Sequence, residues 1–215
     1  MAKLVQLTAS ELIPMNPTPG KLREAAAGCK ACDLWQHATQ TVFGEGPQSA
    51  RVMMIGEVPG DQEDRKGLPF VGPAGTLLDR ALSAVGIGRG DVYLTNIVKH
   101  FKFEPRGKRR IHKKPNAVEI SACRPWLDAE LAAVEPEIVV LLGATAAQSL
   151  LGRQFKVTEQ RGRWVKSTIA PYVLATVHPF SILRATDEQS RHEEMQRFIN
   201  DLKPVAEQIR YRAAA

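Results

Sequence analysis

The sequence predicts an α/β fold: three layers, α/β/α, around a central, mostly parallel four-stranded sheet. Three observations carry that expectation. Four apolar, β-branched runs each stop at a Gly or a polar residue, helix-period stretches separate them, and a long polar helical stretch closes the chain. RVMMIGEV (51–58) is the first strand. AGTLLDRALSAVGI (74–87) sets Leu77, Leu78, Ala81, Leu82 and Val85 on one helical face. DVYLTNIVK (91–99) is the second strand, followed by a basic loop. Asn116, with Glu119 three residues on, resembles a capping box that opens a helix carrying Cys123, Trp126, Leu127 and Leu131. EIVVLLG (137–143) is the third strand, ATAAQSLLG a short helix and YVLATVH (172–178) the fourth strand. From about Asp187 a polar helix runs on, expected to kink or restart near Pro204, whose ring removes a backbone donor.

A chain of 215 residues, 44% apolar and 24% charged, suits one buried core. One domain is expected over 1–215, with a CxxC pair in the segment 1–50 and a C-terminal helix over 187–215. No stretch approaches the roughly 18 consecutive apolar residues of a membrane span. The opening MAKLVQLTASELIP lacks a basic region, apolar core and cleavage site in succession. A cytoplasmic or nucleoid-associated monomer, away from membranes, is the expectation. Residues 99–114 hold eight Lys or Arg against one Glu, a local +7 within a net charge of +6, so the rest of the chain sums to −1. Such a confined basic cluster is the footprint of phosphate-backbone binding, and its plain alternative is a solvated loop. The interleaved Phe101, Phe103 and His112 favour the first. Three cysteines oppose a disulfide framework; Cys29 and Cys32 are paired in sequence, Cys123 is distant, and a four-ligand centre would have one position open.

Parallel sheets bind ligands at the carboxyl ends of their strands. Glu57 ends the first strand, Asn96 lies near the end of the second and His178 ends the last, so three polar side chains should meet on one rim. GEVPG alone is no more than a tight loop with a solvated Glu. The following DQEDRKGLPFVGPAG sets Asp61, Glu63 and Asp64 beside an outward-looking Phe70 and three glycines, a poor core segment but a plausible pocket rim. A ring presented there offers a nucleobase a stacking face worth about 1–3 kcal/mol.

The succession GEVPGDQED, GLPFVGPAG, TNIVK, LLGATAA and HPFSILR resembles, in order and spacing, the iron-sulfur uracil-DNA glycosylases over roughly residues 29–184. KRRIH (108–112) is similar to the insertion that marks the UdgX type within them. The resemblance implies an α/β/α fold, uracil in single- or double-stranded DNA as substrate, and a structural four-iron, four-sulfur cluster. It assigns base stacking to Phe70, uracil reading to Asn96 and stabilisation of the departing base to His178. An Asn amide matches the N3 hydrogen and O4 of uracil and mispairs with cytosine. His112 would attack C1′ of the sugar, Glu57 would orient it, and adjacent cations would keep its imidazole neutral. Gly56, Asp61, Asp64, Lys108, Arg109, Arg110, Ser181 and Arg184 fall on the uracil and DNA side of the site. Cys29, Cys32 and Cys123 match three cluster thiolates, and His100 stands where ordinary members have a fourth Cys. Spacing alone would suit zinc at least as well; only the resemblance selects iron and sulfur.

Two positions depart from the UdgX pattern: Val58 where Gln is usual, and Phe180 where Ser is usual. Three activities therefore stay open: a single-turnover enzyme trapped by its product, a multiple-turnover glycosylase that uses water, and a uracil-DNA binding protein without catalysis.

Overall fold

The structure, a computed structural model, describes residues 8–213; residues 1–7, part of the opening read above for an export leader, lie outside the described residues. Two helices, α1 (Ala9–Leu12) and α2 (Pro19–Ala26), precede β1 (Val52–Gly56). Then come α3 (Asp61–Lys66), α4 (Pro73–Ala84), β2 (Val92–Asn96), a hairpin of β3 (Phe103–Arg106) and β4 (Arg109–His112), and α5 (Ala117–Val134). The chain continues through β5 (Ile138–Leu142), α6 (Ala144–Leu151), α7 (Val157–Gln160), β6 (Trp164–Val165), β7 (Tyr172–Thr176), α8 (Pro179–Leu183) and α9 (Glu188–Ala213).

The main sheet has the order β2-β1-β5-β7-β6. The four expected strands are all present and run parallel, with Gly56 beside Asn96 at the ends of β1 and β2. The sheet nevertheless has five strands rather than four, because β6 adds an antiparallel edge to β7. Two residues, Trp164 and Val165, are too short to show an alternation that sequence could reveal.

Every residue of β1, β2 and β5 is buried, which is why these strands read as continuous apolar runs. Alternate side chains feed two cores. Met53, Ile55, Tyr93, Val139 and Leu141 face the layer holding Leu22 of α2, Trp126 and Leu127 of α5 and Ala146 of α6. Val52, Met54, Leu94 and Val140 face Leu78 and Leu82 of α4, Ile182 of α8 and Phe198 and Leu202 of α9. The α/β/α layering is thus a direct result of period-two burial on both faces.

Asn116 caps α5 as expected: its Oδ1 accepts from the Glu119 N–H at 2.9 Å, and its own N–H donates to Glu119 Oε2 at 2.8 Å. The expected restart at Pro204 does not occur; α9 is assigned as one helix from Glu188 to Ala213. Leu202, Val205 and Ala206 on both sides of the proline are buried against the sheet, so packing outweighs the one missing backbone bond. The basic stretch expected as a loop is largely the β3–β4 hairpin, with Phe103 opposite His112 and Pro105 opposite Arg110. Its dense charge and Pro105 hide the alternation.

Among the described residues, no helix is long and apolar enough to cross a membrane.

Candidate active site

The carboxyl ends of β1, β2, β5 and β7 open into a cavity of about 880 Å³ lined by Glu57, Phe70, Asn96, His112, Thr145 and His178, among others. The last residues of these strands or those just beyond them, Glu57, Asn96, Gly143 and His178, reach one rim, and Arg110, Ile111 and His112 of the hairpin line it as well.

Phe70 is not the outward-facing ring the sequence suggested. It is 5% exposed and sits at φ 53°, a left-handed conformation that costs a bulky residue energy. Two glycines explain how it fits. A Cβ on Gly75 would stand 1.8 Å from the Phe70 carbonyl oxygen, and one on Gly56 would stand 2.7 Å from the ring and 2.3 Å from Asn96 Oδ1. The missing side chain at Gly56 therefore lets the ring and the amide close on the same spot. The Phe70 and His178 rings lie 6.0 Å apart, inclined by 24°, so a flat ligand has an aromatic face beside a hydrogen-bonding one.

His178 starts α8, and its Nδ1 accepts from the Phe180 N–H at 3.1 Å. In the neutral ring the proton must then sit on Nε2, making that nitrogen a donor. Burial, reinforced by the nearby His112, pushes its pKa down to about 4, so the ring is neutral at physiological pH.

Glu57 follows β1 directly, and its Oε1 accepts from the Thr145 hydroxyl at 2.7 Å. Thr145, in the first turn of α6, is a supporting residue that sequence reasoning did not single out, although it sits in the LLGATAA run. Glu57 and His112 line the same cavity: burial pushes the imidazole pKa down, the Glu57 charge raises it, Arg184 lowers it further and Glu63 opposes. His112 is thus held below the ordinary histidine range chiefly by desolvation. The expected cause, the cations adjacent in sequence, is not among the groups responsible.

Period-two alternation in β4 sets Arg110 and His112 on one face and leaves Arg109 and Ile111 exposed. Arg110 donates to Asp61 and, at 2.6 Å, to Asp64, and lies over the rings of Phe101 and Phe103 at 5.3 and 5.1 Å. Asp64 is fully buried and also accepts from the Thr39 N–H and hydroxyl at 2.9 and 2.6 Å. These three charged residues form a latch that fixes the hairpin over the cavity. Arg110 is consequently engaged internally, whereas Lys108 and Arg109 stand exposed at the hairpin turn. Arg184 lines the cavity; Ser181, which also lines it, turns its hydroxyl to the His178 carbonyl at 2.8 Å. Val58 is buried in the apolar core as well as touching the cavity.

The cysteines gather away from this rim. Cys29 and Cys123 are buried and Cys32 is partly so. The Trp126 indole N–H donates to Cys29 Sγ at 3.3 Å, and the Lys99 N–H donates to Cys123 Sγ at 3.2 Å. Burial raises the Cys32 and Cys123 thiols, the latter to about 12, and the neighbouring sulfurs raise both further. His100 is buried next to Lys99 in sequence, and desolvation lowers its pKa to about 4. Among the described residues no set of three or more His, Cys, Asp or Glu side chains stands within reach of a single ion. The three cysteines nevertheless lie close enough to influence one another's charge, and two of the sulfurs accept N–H bonds.

Residues 43–203 match the Uracil DNA glycosylase superfamily. The chain is similar to the type-4 uracil-DNA glycosylase of Pyrobaculum aerophilum, 38% identical over 171 residues that cover 76% of this chain and 84% of that one. It is also similar to the type-4 enzyme of Thermotoga maritima, at 36% identity over 177 residues covering 82% and 86%. The type-4 enzyme of Sulfurisphaera tokodaii is 37% identical over 171 residues covering 76% and 74%. With the rim of Glu57, Asn96 and His178 standing inside the matched span, the chain belongs to the uracil-DNA glycosylase superfamily.

Proposed function

We propose that this protein excises uracil from DNA and is then captured by its own product through His112. The observation that carries the reading is the convergence of Phe70, Asn96, Glu57, His112 and His178 on one cavity, where the Glu57 charge acts on the His112 imidazole. A uracil flipped from its strand stacks on Phe70, because a base inside the helix is out of reach. The Asn96 amide accepts from N3–H and donates to O4. As the C1′–N1 bond breaks, its electron pair leaves with the base, and the His178 Nε2–H donates to O2, where negative charge develops. His112, uncharged, then forms a C1′–N bond to the cationic sugar with its own lone pair. The ring's other nitrogen gives up its proton toward Glu57, which restores a neutral, substituted imidazole. That adduct has no good leaving group, so each molecule acts once.

Cys29, Cys32, Cys123 and His100 would hold a four-iron, four-sulfur cluster that ties α5 to the N-terminal segment of a single domain. It supplies structure and takes no part in bond breaking.

Denaturing electrophoresis with a labelled uracil oligonucleotide tests the reading. A band shifted by the mass of the protein is expected. Free abasic product with no shifted band would mean that water is the nucleophile, an outcome that the apolar Val58 beside Glu57 favours. Intact DNA would reduce the protein to a binder.

A further inference from the structure

We infer that Phe180 is a second stacking platform, for the base next to the uracil in an unpaired strand; the inference rests on the function proposed above. Phe180 is 39% exposed, although its helix is anchored by the buried Pro179 and Ile182, so the ring is not needed for the core. It lines the same cavity as Phe70, at the mouth rather than the floor: Phe70 is only 5% exposed. The Phe180 and His112 rings are 6.3 Å apart, which sets the platform beside the residue proposed to capture the sugar. Arg184 places its guanidinium 4.7 Å from the Phe180 ring centroid, steadying the ring and bringing a cation to the mouth.

A nucleotide whose base reaches Phe70 stays joined by one phosphate to its neighbour, which must remain at that mouth. An exposed aromatic face with a cation behind it matches a base and the phosphate linking it. In a duplex the neighbouring base is already stacked and paired, so the platform has most to offer a single strand. The departure from Ser at this position thus replaces a hydroxyl by a sequence-tolerant stacking face.

The test uses strands carrying 2′-fluoro-2′-deoxyuridine, whose electron-withdrawing fluorine disfavours the cationic sugar and keeps the glycosidic bond intact. The 5′ or the 3′ neighbour is either a normal nucleotide or an abasic analogue. The native protein is expected to lose roughly 5- to 150-fold in affinity when the stacked neighbour base is removed. In Phe180→Ser that loss should shrink toward none, and in Phe180→Tyr it should persist. The same loss in Phe180→Ser as in the native protein, or no loss in the native protein from either side, overturns the platform while leaving the uracil site standing. Equal binding when thymidine replaces the uridine analogue overturns the site reading itself, and the platform with it.

Discussion

His178 keeps one tautomer because the Phe180 N–H occupies its Nδ1. Protonation of that nitrogen would set two N–H groups against each other, so the ring must stay neutral to remain in place. Because its folded pKa lies at about 4, below the ordinary 6.5, the unfolded chain binds the extra proton first. Stability from this group is therefore full above about pH 6.5 and is lost as pH falls toward 4. Uracil release by the folded protein should track the folded pKa instead, staying level from neutral pH down to about 5 and failing near 4; an acid limb centred at 6.5 in single-turnover assays would contradict the assignment. His112 permits a sharper separation. In the proposed mechanism, stacking, base reading and anion stabilisation act while the glycosidic bond stretches, and none uses the His112 imidazole as a covalent partner. His112→Ala should abolish the adduct yet still release uracil, with water admitted beside Glu57. A denaturation-resistant complex from that variant would point to another nucleophile, and absence of uracil release despite DNA binding would show that His112 assists cleavage itself.

The Arg110 latch holds the hairpin one residue pair from its turn. Asp64 and Asp61 neutralise Arg110, and the same face of β4 delivers His112 two residues on, so loosening the first misplaces the second. Asp64→Asn should cost about 1.5–3 kcal/mol, as for hydrogen bonds to a charged group, measured by urea unfolding. It should slow adduct formation more than uracil release, and equal slowing of both would mean that the latch supports the whole cavity. Lys108 and Arg109, exposed at the turn, remain the hairpin's candidates for binding phosphate. Replacing both by Ala should flatten the dependence of log K on log salt by roughly 0.7–0.9 for each phosphate that is no longer neutralised. An unchanged slope in a binding titration would turn the hairpin tip away from DNA.

Across the whole molecule, one buried charge pair joins regions far apart in sequence. Lys99 is 1% exposed; its ammonium pairs with Glu130 and donates to Thr95 Oγ1 at 2.6 Å and to the Asn96 carbonyl at 2.8 Å. Glu130 also accepts from the Gly44 N–H and the Tyr93 hydroxyl, each at 3.0 Å. The basic run of the sequence therefore begins with a residue whose charge is spent inside the protein. Lys99→Met leaves a carboxylate buried without its cation and should cost about 3–5 kcal/mol in urea unfolding; a cost below about 1 kcal/mol would show that water reaches the pair. The purified protein should be brown from thiolate-to-iron charge transfer, and metal analysis finding zinc in colourless, anaerobically prepared protein would refute the cluster. The parallel strands, their order along the chain and the convergence of Glu57, Asn96 and His178 were legible in sequence, because strand periodicity and the carboxyl-end rule depend only on local pattern. The cause of the neutral His112, the burial of Phe70, the engagement of Arg110, the support from Thr145 and the edge strand β6 were decided by tertiary structure. Each depends on which distant groups share a small volume, and desolvation and charge pairing act through space, where neighbours in sequence need not be neighbours at all.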